Sequence, residues 1–202
     1  IMINKYIILV VLFIIVYILY RRWRNNYQSV LIQHSQNAKL LKNIDKQQFI
    51  KKNDVGLSWT LSFWVYIDDW NYKYNTNKHI FIWDNCSVWL SKNTNNIVIH
   101  IPTYNNKKGT NTVIENIPLQ KWTNIIIVLN NRVLDIFVNG TLSNSKYLTN
   151  IPKNDKKLGM KITPYGGFNG TISRFNYYTF PVKKYDIIGC NNVYSLFKKG
   201  PI

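Results

Sequence analysis

Acids are scarce in this chain. Nine Asp and Glu stand against 26 Lys and Arg in 202 residues, and the only glutamate is Glu115. Chemistry that needs paired glutamates therefore has little to work with. Cysteine is almost absent. The two present, Cys86 and Cys190, exclude a disulfide-rich scaffold and make no CxxC pattern, so the fold must stand on packing. Alanine occurs once, at Ala38. No repeat is visible, and no long amphipathic helix follows residue 55. Pro and Gly fall between apolar runs rather than inside them.

What is abundant is Asn (28), Ile (28), Lys (21) and Tyr (14). These are read by A/T-rich codons, so the skew points to an A/T-rich genome and not to a mechanism. A hydrophobic fraction of 46% supports a real core and excludes wholesale disorder. The length suits one domain plus an appendage. The formal charge is +17, of which +7 lies in residues 1–55 and +10 in residues 56–202. Such a surplus favours anionic partners. The lysines are scattered, and no Arg-rich stripe or nucleic-acid-binding motif appears. Nucleic acid is not an expected partner.

The strongest local signal is Tyr6–Tyr20, fifteen residues without a charge. At about 1.5 Å per residue the run covers roughly 22 Å, short of a hydrocarbon core of roughly 30 Å. Counting from Ile1, with Lys5 snorkelling to the headgroups, extends it to about 30 Å. Twelve of the thirteen residues Ile7–Leu19 are Ile, Leu, Val or Phe, and Arg21, Arg22 and Arg24 follow the run in place of a small-residue cleavage site. These features lead to the expectation of a single transmembrane helix flanked by Lys5, Arg21, Arg22 and Arg24. The arginines would place the C-terminal domain on the cytoplasmic side, with reduced cysteines.

The expected organisation is an anchor with a basic flank over 1–24, a connector over 25–36 and a β-domain over 37–202. Candidate strands are Leu57–Ile67, His79–Trp83, Ser87–Leu90, Ile97–Ile101, Thr112–Glu115, Thr123–Leu129, Val133–Val138, Leu158–Ile162 and Gly170–Phe180. Short strands at this spacing point to an antiparallel sandwich or jelly roll. Asn139-Gly140 suits a type I′ hairpin, and Asn130-Asn131 is a second tight-turn candidate. The run IIIVL is apolar on both faces, which marks a central, covered strand.

Three segments carry a resemblance. SWTLSFWVYI (Ser58–Ile67) resembles the early strand of laminin G-like, concanavalin A-type domains. LQKWTNIIIVLNNRVLDIFVNGTL (Leu119–Leu142) resembles their central hairpin, and GGFNGTISRFNYYTFPVKKYDI (Gly166–Ile187) their last strand with a short helical tail. Within that superfamily DDWNYKYNTNKHIF, ENIPLQKW, ITPYGGFNGTISRFNYY and FKKGP look like a subgroup from giant nucleocytoplasmic DNA viruses, whose members often carry an N-terminal hydrophobic segment. The fold this implies is an all-β, antiparallel jelly-roll β-sandwich preceded by one transmembrane helix.

Chemistry is limited by the acids. Glycoside hydrolases need two carboxylates across the sugar, and in retaining enzymes these lie about 5–5.5 Å apart. The only adjacent acids are Asp68 and Asp69, which would point to opposite faces of a strand. His34, His79 and His100 show no metal-ligand spacing and no partner serine motif. The expectation is no catalysis, no cofactor and no required metal. Asp68, Asp69 and Asp84 are the residues with which a laminin G-like domain would hold calcium. Tryptophans in strands, Trp89 and Trp122 among them, read as core. Trp70, Tyr72 and Tyr74, in an aromatic loop with basic neighbours, form the candidate interface.

Two roles follow. The resemblance implies a non-catalytic, membrane-anchored structural protein, a minor capsid or virion component linking an internal membrane to a protein shell. Its partners would be other virion or capsid proteins. The alternative is a membrane-anchored lectin-like module that binds glycan.

Overall fold

The computed structural model describes residues 2–49, 56–154 and 159–182. The chain opens with helix α1 (Met2–Tyr27), then β1 (Gln28–Ile32), β2 (Gln36–Asn37), β3 (Lys42–Ile44) and the short helix α2 (Lys46–Phe49). Ten strands follow: β4 (Trp59–Ile67), β5 (Lys78–Trp83), β6 (Cys86–Leu90), β7 (Ile97–Thr103), β8 (Asn106–Ile114), β9 (Thr123–Asn130), β10 (Val133–Val138), β11 (Thr141–Tyr147), β12 (Met160–Ile162) and β13 (Gly170–Tyr178). A 3-10 turn, Pro164–Gly166, lies between the last two.

The strands form two antiparallel sheets. One is seven-stranded, in the order β1-β13-β4-β9-β10-β11 with β2 also paired to β13. The other is six-stranded, in the order β3-β12-β5-β6-β7-β8. In the six-stranded sheet, strands β6 and β7 alternate buried and half-buried residues along their length. One face therefore meets the core and the other meets solvent. Strand β9 is different, because Ile125, Ile127 and Leu129 face the main core while Ile126 and Val128 join Phe137 in a small outer cluster with Val182. The covered central strand expected of IIIVL is therefore present.

Large rings lock the sheets together. Phe175 stacks on Phe63 at 5.0 Å and meets Phe81 edge-on at 5.3 Å, while Phe63 and Phe81 meet at 5.7 Å. Trp83 contacts Trp59 at 5.5 Å and Tyr177 at 5.6 Å, both edge-on. Stacked and edge-on pairs at these distances match the charge distribution of the rings. The hairpins follow from the turn residues. Val138 pairs with Thr141 across Asn139 (φ 50°) and Gly140 (φ 81°), the two positive φ values of a type I′ turn. In the preceding hairpin Asn130 pairs with Val133, so Asn131 (φ 53°) and Arg132 form the tip, one residue later than expected.

Some elements were not expected. Strand β1 lies inside the stretch read as a connector and pairs with β13. Strand β11 is a polar edge strand, exposed along most of its length. The expected helical tail and Cys190 lie outside the described residues, as does Leu158, the first residue of the candidate strand Leu158–Ile162.

The membrane expectation needs correction. Helix α1 forms, and the side chains Tyr6–Tyr20 are exposed all round. Its uncharged run nevertheless covers only about 22 Å against a hydrocarbon core of about 30 Å, with Lys5 before it and Arg21 and Arg22 after it. Among the described residues no helix is long and apolar enough to cross a membrane. The single-pass anchor and the cytoplasmic orientation drawn from Arg21, Arg22 and Arg24 therefore do not stand.

Truncating Phe175 removes the ring that both sheets share. Phe175→Ala is expected to cost about 3–5 kcal/mol, read as a lower urea midpoint at unchanged slope. A loss below about 1 kcal/mol would show that the inter-sheet contact is not set by this ring.

Candidate functional site

The outer face of the six-stranded sheet carries a row of rings. Register places His79 opposite Trp89 and Trp89 opposite Val98, and in the next row Ser87 opposite His100 and His100 opposite Asn111. Side chains directly opposed on one face lie about 4.5–5.5 Å apart at Cβ, so such rows become continuous surfaces. The ring centroids step from Tyr165 to His79 at 5.5 Å, His79 to Trp89 at 5.9 Å, and Trp89 to His100 at 6.2 Å. At the far end His100 Nδ1 lies 2.7 Å from Asn111 Oδ1. Trp89, His79 and His100 are half-buried, so the ladder presents ring surface to solvent. Trp89 was expected in the core, and strand register puts it outside.

Tyr165 heads the ladder and is 72% exposed. It is held in the left-handed region (φ 57°), as is Thr163 (φ 51°). For residues with a Cβ this conformation costs roughly 1–2 kcal/mol each and persists only where surrounding contacts impose it. Those contacts are present. The Thr163 hydroxyl donates to Leu40 O at 2.5 Å, the Tyr72 hydroxyl donates to Gly166 O at 3.0 Å, and the Lys73 ammonium donates to Tyr165 O. Gly167 closes the arrangement, since a Cβ there would lie 1.9 Å from Ala38 O.

The expected interface loop packs against this turn. Its start is shaped by Asp69, whose carboxylate accepts the backbone N–H groups of Asn71 at 2.8 Å and Tyr72 at 3.0 Å and the side-chain amide of Asn169. The Tyr72 amide, then the Asn169 amide, hold the Asp69 carboxyl below the usual carboxylate range. Trp70 packs on the main core, and its Nε1 has no hydrogen-bond partner among the described residues. Over its ring, at 5.4 Å, lies the ammonium of Lys78. Lys78 is buried and donates to Lys92 O at 3.1 Å, and burial lowers its pKa. Tyr72 is flanked by Lys39 at 4.7 Å and Lys73 at 5.7 Å. Tyr74 is exposed. Within the loop, then, Trp70 and Tyr72 hold the shape and Tyr74 faces solvent.

Beside Tyr165 the sheet opens into a recess of about 500 Å³, lined by Asn43, Asp45, Ile82, Asp84, Lys161 and Tyr165 among others. No group of three His, Cys, Asp or Glu among the described residues is placed to hold a metal ion. Cys86 is buried, and its thiol is pushed far above the ordinary range by desolvation, which leaves it inert.

Two facing antiparallel sheets of this order define a jelly-roll β-sandwich. The chain belongs to the Concanavalin A-like lectin/glucanases superfamily, whose laminin G-like family model matches residues 44–187. Among solved structures it is similar to the botulinum neurotoxin type G receptor-binding domain, at 19% identity and a TM-score of 0.53 over 67% of this chain and 38% of that one. It is also similar to the receptor-binding domain of the mosaic serotype C/D toxin, at 16% identity and a TM-score of 0.58 over 82% of this chain and 46% of that one. The chain thus spans less than half of either structure. No curated protein sequence matches it.

His79 generates a pH dependence. Burial lowers its pKa from the ordinary 6.5. Between the lowered folded value and 6.5 the unfolded chain binds more protons, so stability rises with pH in that window and falls as the solution is acidified. His79→Gln is expected to flatten this slope in urea melts taken across mildly acidic pH. An unchanged slope would show that His79 is not its source.

Proposed function

We propose that the domain is a non-catalytic recognition module that binds glycan on the outer face of its six-stranded sheet. The observation that carries this reading is the ring ladder Tyr165–His79–Trp89–His100, ended by Asn111. A pyranose has an apolar C–H face and a rim of hydroxyls. An indole or phenol ring matches the first, and imidazole and amide groups match the second. The ladder itself carries no carboxylate, whereas glycoside hydrolysis needs a pair of them across the bond. Support also comes from the superfamily description, which includes lectins, and from neighbours described as receptor-binding domains.

A specific observation favours a second reading, a protein partner such as a shell component of a virion. Leu40, Leu41, Tyr74 and Tyr165 are all exposed, and the contacts of Thr163 with Leu40, Tyr72 with Gly166 and Lys73 with Tyr165 draw their three loops together beside Lys39 and Lys73. An apolar patch with a charged rim is the anatomy of an interface. The giant-virus motifs point the same way.

The two readings separate by variant. On a glycan array, Trp89→Ala is expected to weaken binding of the full chain about thirtyfold or more, with the urea midpoint little changed. Equal binding by wild type and variant, or no binding to any glycan, would remove the glycan reading. Tyr74→Ser is expected to leave glycan binding unchanged. In virus particles it is expected to reduce incorporation if the second reading holds, and normal incorporation would remove that reading.

A further inference from the structure

We infer that Asn139 carries an N-linked glycan, and that of the chain's three acceptor triplets it is the one at which the fold leaves room for this modification. Asn85-Cys86-Ser87, Asn139-Gly140-Thr141 and Asn169-Gly170-Thr171 all have the Asn-x-Ser/Thr form. Modification puts a bulky, solvated group on the side-chain nitrogen Nδ2. A folded domain can carry it where that nitrogen faces solvent and makes no bond the fold needs.

The structure separates the three. Asn85 sits in the tight turn closed by the Trp83–Cys86 pair and is 1% exposed, so a sugar there would have to enter the protein. Asn169 is half-buried, and its Nδ2 donates to the Asp69 carboxylate, the contact that joins the aromatic loop to the start of β13. Its backbone is fixed as well. Its carbonyl accepts Asp68 N–H at 3.0 Å, and a Cβ on the next residue, Gly170, would lie 2.0 Å from Tyr66 O. A sugar on Asn169 would crowd out Asp69.

Asn139 differs on each count. It is exposed, as is Thr141, whose hydroxyl completes the triplet. It is the first central residue of the type I′ turn and exchanges two hydrogen bonds with Asn124. Its backbone N–H donates to Asn124 O at 2.9 Å, and its Oδ1 accepts Asn124 N–H at 2.9 Å. Both bonds use atoms that glycosylation leaves in place. They fix the amide and leave Nδ2 without a partner among the described residues.

Topology gives the glycan a place and a use. The β10–β11 hairpin forms one edge of the seven-stranded sheet, whereas the ring ladder lies on the outer face of the other sheet, so a glycan on Asn139 leaves the ladder open. It stands at the start of β11, where Thr141, Leu142 and Ser143 are exposed. A free edge is a template for pairing with a strand of another chain, and a bulky group beside it obstructs that pairing. The donor is an oligosaccharide on a lipid pyrophosphate. Its C1–O bond breaks as C1 bonds to Nδ2, the lipid pyrophosphate leaves with the electron pair, and the amide yields a proton to a base of the transferase. A module that binds glycan meets it on the lumenal or outer side of membranes, where this transfer also takes place. That placement rests on the glycan reading.

The test expresses the full chain behind a cleavable secretion signal in a eukaryotic host. The folded protein is treated with a glycosidase that converts each glycan-bearing Asn to Asp, and the converted residue is located by mass spectrometry. One glycan, at Asn139, is expected. Asn139→Gln is expected to abolish it. Because that change also strains the turn, Thr141→Ala serves as the second variant: it removes the triplet, keeps both central residues of the hairpin, and is expected to lose the glycan too. Ser87→Ala and Thr171→Ala are expected to keep it. Folded protein with no glycan, with one on Asn85 or Asn169, or with one that survives Thr141→Ala would overturn the assignment. Ladder binding is read separately on the glycan array, where Thr141→Ala is expected to match wild type. Absence of the Asn139 glycan therefore overturns this assignment alone, and absence of array binding removes the glycan reading alone.

Discussion

The contact of Phe175 with Phe63 and Phe81 is the constraint on which the rest of the structure depends. It fixes how far apart the two sheets sit, and burying such rings is the largest apolar gain open to each sheet. Once the inner faces are committed, strand geometry commits the outer ones. Successive side chains point to opposite faces, so Val88 and Leu90 in the core oblige Trp89 to face outward. The ring ladder is the complement of the core pattern on the same strands.

Much of the fold was legible because it rests on short-range signals. Alternating apolar residues located β4 to β7, β9, β10 and β13 to within a few residues, and Asn139-Gly140 marked its hairpin through the positive φ values only such residues tolerate cheaply. Strand β11, TLSNSKY, was not legible. It is an edge strand with a partner on one side only and needs no apolar alternation, so nothing in its composition distinguishes it from a loop. Strand β1 was hidden for another reason. Its neighbour, β13, lies about 140 residues away in the chain, and no local pattern announces such a pairing. The anchor reading failed on length, since a run bounded by Lys5, Arg21 and Arg22 has no uncharged residues left to extend it.

The site was less legible than the fold, and the reason is register. His79, Trp89 and His100 are separated in sequence by ten and eleven residues, and each taken singly has a bland explanation. Only the pairings His79 with Trp89 and Ser87 with His100 bring them onto one surface. The aromatic loop shows the reverse. Trp70, Tyr72 and Tyr74 stand out by composition, yet the first two are spent on structure: Trp70 on the core and under Lys78, Tyr72 on Gly166 and between two lysines. Tyr72 in particular helps hold the left-handed turn that projects Tyr165, through its hydroxyl on Gly166 O. A sequence reader sees which side chains are suited to binding. The pairing of strands decides which of them are free to do it.

Charge behaves in the same way. A formal +17 describes the far field of the molecule and would steer anionic partners toward it. Within contact distance the near groups outweigh that field, because added salt screens interactions beyond about 10 Å at ordinary ionic strength. Asp45 and Asp84 are 39 residues apart, and neither has an acidic sequence neighbour. Pairing of β3 with β12 and of β12 with β5 sets both around one recess. The sign of a binding surface is thus a property of topology as much as of composition. In a chain this poor in acids, it is strand pairing, and not sequence proximity, that brings Asp45 and Asp84 to one recess.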